Sequence, residues 1–247
     1  MTRSMTRWYA DGRLTHVRPQ HYLPGRVFGD APGRGTQGAR TRNTLRLIGS
    51  PLELPNPWPE VFELMWDAYD AGTIPVGAVI IDGAGNVVSR GRNRIFNTAA
   101  DGQLAATRLA HAEMNALVRL RASRTYQDHA LYTALEPCHL CLSAAVTARV
   151  GTLHYAAADP YGGAVGKLIP SRDHEAHPLS VDGPLATEAG RLPELLLVAH
   201  FLWRRPDGDV AKFYRERFPQ VVEEARRLPL PNSGATLGDA LSLATSR

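Results

Sequence analysis

The stretch LEPCHLC, Leu135 to Cys141, holds the only two cysteines of a 247-residue chain, three positions apart and directly after a proline. Proline suits the opening of a helix and not its interior. The segment therefore reads as the end of a strand followed by the first turn of a helix. In that setting the sulfurs of Cys138 and Cys141 can turn toward one point, and the helix N-terminus favours their thiolate forms. A metal site and a redox pair share this spacing, so the rest of the chain has to decide between them.

The neighbouring patterns supply a fold. HALYTALE (129–136) reads as a short strand, CHLCLSAAVTARVG (138–151) as a helix stopped by Gly151, and TLHYAAA (152–158) as the next strand. Upstream, PWPEVFELMWDAYDAG (57–72) places Val61, Leu64, Met65 and Ala68 at helical spacing and ends on Gly72. VGAVIIDGAGNVVSRGRNR (76–94) forms two β-rich runs joined by the turn signals Asp82-Gly83 and Gly85-Asn86. LAHAEMNALVRLRA (109–122) is helical, and LATEAGRLPELLLVAHFLWRR (185–205) is an amphipathic helix interrupted or restarted near Pro193. DVAKFYRERFPQVVEEARRL (209–228) is a further helix broken near Pro219, and PNSGATLGDALSLATSR (231–247) reads as a loose tail. This order predicts a three-layer α/β/α sandwich around a mixed sheet of about five strands, antiparallel at first and then extended by parallel crossovers. Ligands in such folds collect where parallel strands end and helices begin.

Charge is unevenly distributed. Residues 1–50 carry nine arginines against Asp11 and Asp30, and the chain as a whole is +4, so residues 51–247 are mildly acidic. The first 50 residues are rich in Gly and Arg and lack a sustained period, which predicts a disordered extension. A domain over 51–205 and a C-terminal helix with tail over 206–247 follow. There is no apolar run of membrane-spanning length and no secretory signal pattern, and two cysteines cannot build a disulfide framework, so a cytoplasmic protein without a membrane partner is expected.

HAE, His111 to Glu113, opens a second helix. Residues two apart point roughly 200° from each other within a helix, and only at its first turn can both reach a site beyond the helix end. His111 then completes a three-ligand set with Cys138 and Cys141. Three protein ligands leave a zinc ion an open fourth position, as in catalytic sites.

His-x-Glu followed by Pro-Cys-x-x-Cys is the signature of zinc-dependent nucleobase deaminases. From about residue 56 to 204 the chain resembles the cytidine/deoxycytidylate deaminase superfamily, in the branch with bacterial tRNA adenosine deaminase and guanine deaminase. The resemblance is carried by PVGAVI (75–80), GRNR (91–94), AHAEMNAL (110–117), LYTALEPCHLC (131–141) and ARVGTLHYAAADPYGG (148–163). It implies one zinc per chain on His111, Cys138 and Cys141, a hydroxide supplied by the metal, and Glu113 as the proton shuttle to the ring nitrogen and the departing ammonia. It also implies substrate contacts from Asn93 and Asp159, with Glu136, Phe96 and Tyr161 bordering the pocket, and a homodimer. His139 is expected to face away from the cysteines, and His154, His174, His177 and His200 to be ordinary histidines. The stretch IFNTAADGQLAATRLA (95–110) replaces a short Pro-Thr-containing loop of the branch. The expected function is hydrolytic deamination of a free nucleobase, nucleoside or nucleotide, purine ahead of pyrimidine. The alternatives are tRNA adenosine-to-inosine deamination and a non-catalytic zinc-binding protein.

Overall fold

A computed structural model describes residues 5–8, 14–17, 44–46, 53–98, 102–167 and 172–246. The chain divides into two units, residues 1–41 and 42–247. In the first, β1 (Met5–Trp8) pairs antiparallel with β2 (Leu14–Val17). The remainder of the expected N-terminal extension lies outside the described residues, apart from β3 (Thr44–Arg46), which pairs antiparallel with β4 (Glu53–Pro55) in the second unit.

Helix α1 (Trp58–Asp70) carries Pro59 in its first turn, and Gly72, at φ +69°, follows its end in a conformation that glycine adopts without a Cβ clash. Strands β5 (Gly77–Ile81) and β6 (Val87–Arg92) form the expected hairpin. Its turn is tied by Asp82 Oδ1, which accepts from the Ala84 and Asn86 amides. Helix α2 (Ala112–Leu117) is shorter than the 109–122 pattern suggested. Asn115 explains the late start, because its side-chain oxygen accepts from Leu104 N (2.6 Å) and its NH2 donates to the Arg92 and Leu104 carbonyls, fixing the approach to the helix as a loop.

Strand β7 (Tyr126–Leu135), helix α3 (His139–Thr147) and strand β8 (Val150–Ala157) form the parallel unit around the cysteines. Helix α4 (Arg172–Ala176) leads to the short edge strand β9 (Ser180–Asp182), and the sheet order is β6-β5-β7-β8-β9. Strand β5 is antiparallel to both neighbours, while β7, β8 and β9 run parallel. The mixed five-stranded sheet is the one expected.

Two glycines set its faces. Gly77 and Gly91 lie next to each other in the hairpin but on opposite sides of the pleat, since Gly91 pairs with Ala78 and side chains alternate along a strand. A Cβ at Gly77 would overlap the backbone of Val61 and Met65 in α1, and one at Gly91 would overlap that of Ala112 and Ala116 in α2. Helix α2 packs beside α3 on one face, and α1 packs beside α5 (Leu192–Arg204) on the other.

Helix α5 follows a 3-10 turn at Glu188–Arg191 and is buried from Leu195 to His200. It is covered by α6 (Asp209–Arg217), α7 (Pro219–Ala225) and α8 (Leu237–Thr245). This corrects two expectations. Residues 206–247 belong to the same compact unit as the sheet, and the expected loose tail ends in a helix. A capping box holds that helix, with Asp239 N donating to Thr236 Oγ1 and Thr236 N to Asp239 Oδ2, while Leu237, Ala240, Leu241 and Ala244 are buried. Among the described residues no helix is long and apolar enough to cross a membrane.

Replacing Gly91 by alanine should force α2 away from the sheet. Urea unfolding should then show a loss of about 1–3 kcal/mol, the usual range for overpacking a tight contact.

Candidate metal centre

Two helix N-termini converge at the carboxyl end of β7. His111 is the N-cap of α2 and Cys138 the N-cap of α3, both with extended backbone (ψ 157° and 172°), so each side chain leaves its helix axis and reaches past the end. Cys141 lies in the first turn of α3 and is fully buried. His111 Nδ1 is 3.6 Å from Cys138 Sγ and 3.4 Å from Cys141 Sγ, and the two sulfurs are 3.7 Å apart. Zinc–sulfur and zinc–nitrogen bonds of about 2.3 and 2.0–2.1 Å at tetrahedral angles require edges of roughly 3.8 Å between sulfurs and roughly 3.5 Å between sulfur and nitrogen. The triangle has the size of one face of a zinc tetrahedron, so the donor set fits the ion.

The protonation pattern of the three groups fits as well. A hydrogen bond from Cys141, with help from His111, draws the Cys138 thiol down to about 4, while Cys141 is pushed well above the ordinary thiol range by the same contact and by burial. The bond to Cys138 raises the His111 imidazole. Binding a divalent cation displaces the remaining protons.

Glu113, in the first turn of α2, is buried, and burial pushes its carboxyl up. Thr133 on β7 donates to its Oε1 (3.1 Å), and its Oε2 is 3.3 Å from Cys141 Sγ. The carboxylate thus lies beside the ligand triangle without being one of its corners.

Next to this group is a cavity of about 270 Å³, to whose lining Asn93, His111, Glu113, Glu136, Cys138, Asp159 and Tyr161 all contribute. Asn93 is buried and accepts through Oδ1 from Thr73 Oγ1 (2.7 Å) and Ile95 N (3.1 Å). Glu136 uses both carboxylate oxygens on the loop after β8, accepting from Asp159 N (3.1 Å) and Val165 N (3.0 Å). A Cβ at Gly163 would collide with that carboxylate, so the loop closes over it only with glycine there. Asp159 Oδ1 accepts from the amides of Tyr161 and Gly162, yet burial still raises its carboxyl. Tyr161 is about half exposed at the mouth and meets Phe213 of α6 edge-on at 5.4 Å.

Phe96 is the expected pocket residue that the fold does not deliver. The turn formed by Ile95 N to Asn93 Oδ1 and Asn97 N to Arg94 O carries its ring away from the cavity and onto α5, where it stacks on His200 with Arg204 over its face at 3.8 Å. His139 is exposed, as expected from its place one step around the helix. The sequence reading missed the apolar wall of the cavity, made by Ile74 and Val76 before β5, Leu197 and Phe201 on α5, and Val210 on α6. Their only signal in the sequence is ordinary helical or strand hydrophobicity.

The segment over residues 59–157 matches the family model described as the cytidine and deoxycytidylate deaminase zinc-binding region. A tRNA-specific adenosine deaminase of Haemophilus influenzae is 32% identical over 137 residues, 53% of this chain and 72% of that protein. The chain belongs to the cytidine and deoxycytidylate deaminase family. A longer match joins this deaminase-family chain to a tRNA(Ile)-lysidine synthase of Deinococcus radiodurans, 36% identical over 83% of this chain but only 31% of that protein. The chain therefore spans under a third of that relative's length. The X-ray structure of a guanine deaminase from Bacillus subtilis is 31% identical, covering 40% of this chain and 60% of its own, with a TM-score of 0.34.

Two outcomes are expected here. Zinc added to the metal-free protein at neutral pH should bind one ion per chain and release roughly one proton or more, read by calorimetry in buffers of different ionisation enthalpy; Cys138→Ser and Cys141→Ser should lose the ion and His139→Ala should keep it.

The second concerns His200, which is fully buried and whose ring nitrogens have no hydrogen-bond partner among the described residues; burial lowers it to about 4. The unfolded imidazole titrates near its ordinary value of about 6.5, so between these values the unfolded state holds more protons. Stability should be complete above pH 6.5 and fall as the pH drops toward 4, by on the order of 3 kcal/mol from this group. In His200→Leu that part of the pH slope in denaturant midpoints should vanish.

Proposed function

We propose that the cavity binds a free nucleobase or nucleoside, a purine in preference to a pyrimidine, and removes its exocyclic amino group by hydrolysis. The observation that carries this reading is the buried carboxylate of Glu113 set against a three-donor zinc triangle, both opening into one small cavity. Zinc on these donors would supply an acidified water at the open position. Glu113 would take one proton from the attacking water to the ring nitrogen and then a second, from the newly added hydroxyl, to the amine that leaves as ammonia, with Thr133 keeping its Oε1 oriented. In this reading Asn93 orients the base, Tyr161 packs over it at the mouth, and Asp159 with Glu136 shapes the polar part of the lining.

The charge of the lining favours an uncharged substrate. Among the described residues it contains Glu113, Glu136 and Asp159 and no lysine or arginine. A phosphate brought into such a pocket meets repulsion without a compensating cation. This places a base or nucleoside ahead of a nucleotide inside the cavity. The protein acts in the cytoplasm as a homodimer in this reading, with the exposed Leu109, Val118 and Leu140 beside α2 and α3 as the apolar contact surface.

A second reading is favoured by the names of the relatives, which are described as acting on or modifying tRNA. A tRNA would place only one base in the cavity and leave its phosphates outside, so the acidic lining does not weigh against it as it does against a nucleotide.

The test is an ammonia-release screen of the zinc-loaded protein over free bases, nucleosides, nucleotides and tRNA. Activity on a free base or nucleoside is expected, and Glu113→Ala should lower turnover by roughly 10²-fold or more while metal analysis still finds one zinc. Release from tRNA alone, with tRNA binding that weakens steeply as salt rises, would select the second reading. No release from any of them at full zinc occupancy would leave a non-catalytic zinc protein.

A further inference from the structure

The carboxamide of Asn93 is more constrained than a surface asparagine, and the constraint has a chemical direction. Its Oδ1 accepts from two donors, the Thr73 hydroxyl at 2.7 Å and the Ile95 backbone amide at 3.1 Å. A backbone N–H can only donate, so the atom facing Ile95 is the oxygen and the amide cannot be turned around. Both lone pairs of that oxygen are then occupied. Nδ2, the other end of the group, has no partner among the described residues and is the end left to the cavity that Asn93 lines.

We propose that Thr73 is a positioning residue that locks the Asn93 carboxamide with its NH2 toward the cavity, so that the site selects substrates presenting a hydrogen-bond acceptor at that point. Asn93 by its chemistry could offer either a donor or an acceptor; held this way it offers only a donor. A ring nitrogen lone pair or a carbonyl oxygen satisfies it, whereas an amino group or ring N–H in that place leaves two donors facing each other in a buried site.

Thr73 is suited to this and to little else. It lies just past the end of α1, is fully buried, and its backbone amide is bonded to Ala68 O. Its hydroxyl therefore sits at a fixed distance from β6, and Asn93 is tied from the other side by its own N–H to Val76 O at 2.9 Å. The pocket residues Ile74 and Val76 belong to the same short segment, so Thr73 carries the alignment of Asn93 to one wall of the cavity. The claim rests on the cavity being the base-binding site, and its test is arranged so that the two can fail separately.

The test compares Thr73→Val, which keeps the shape and removes the hydroxyl, with Thr73→Ser, which keeps the hydroxyl. On the base that the wild-type protein turns over, the valine variant should raise KM by about tenfold, the weight of one hydrogen bond, with kcat within about twofold. The serine variant should return KM to near the wild-type value. In an Asn93→Ala background the valine substitution should add nothing, because its effect passes through Asn93. In ¹⁵N-labelled protein the Asn93 side-chain NH2 should give one sharp pair of resonances in wild type and Thr73→Ser, and a broadened or shifted pair in Thr73→Val. Should the valine variant not fold, Thr73→Ala carries the same comparisons. An unchanged NH2 pair together with an unchanged KM overturns the proposal, as does an effect of Thr73→Val that adds in full to that of Asn93→Ala. If the zinc-loaded wild type deaminates no base, the functional reading falls and the NH2 resonances alone decide the role of Thr73.

Discussion

Everything chemical in this molecule depends on two helices beginning at one place. Neither α2 nor α3 carries the ligand set alone: α2 gives an imidazole from its N-cap, and α3 gives one sulfur from its N-cap and one from its first turn. They meet because both lie on the same face of the sheet, and α2 comes close enough only because Gly91 has no side chain to hold it off. The 3.4–3.7 Å triangle is thus a product of sheet geometry as much as of residue identity.

What was legible in the sequence was whatever is encoded over a few neighbouring positions. Cys138 and Cys141 after Pro137, and His111 with Glu113, are short-range patterns, and each placed its side chains correctly once a helix start was assumed. The hairpin and the parallel unit were readable for the same reason. Phe96 was misplaced because the direction of its ring is set by a two-bond turn centred on Asn93, which leaves no mark in composition or period. The apolar wall from α5 and α6 was invisible because leucine, phenylalanine and valine at helical spacing describe any buried helix equally well. The C-terminal helix is a different kind of miss: Thr236 and Asp239 stand three apart around the start of the apolar series Leu237, Ala240, Leu241 and Ala244, and the Gly- and Ser-rich residues just before it give the segment the look of a loop.

The cavity sets two physical demands against each other. Its apolar lining rewards a flat ring for leaving water, while the same cavity is lined by three carboxyl groups, of which Glu113 and Asp159 are pushed up by burial. Carboxyl groups in that state resist being charged together, so a protonated or neutral partner is accommodated more readily than an anion. The proposed reaction is done on an amino group; the polarity of the walls narrows what else the molecule carrying that group can bring with it.

Glu136 sits one residue from Pro137 and two from the first thiol, yet its side chain grips the backbone of Asp159 and Val165 on the loop that leaves the neighbouring strand β8. Floor and roof of the chamber are therefore fastened to a single short peptide. The backbone repeats the tie, with Ala164 N donating to Pro137 O. Entrance and ligand grip therefore share one anchor.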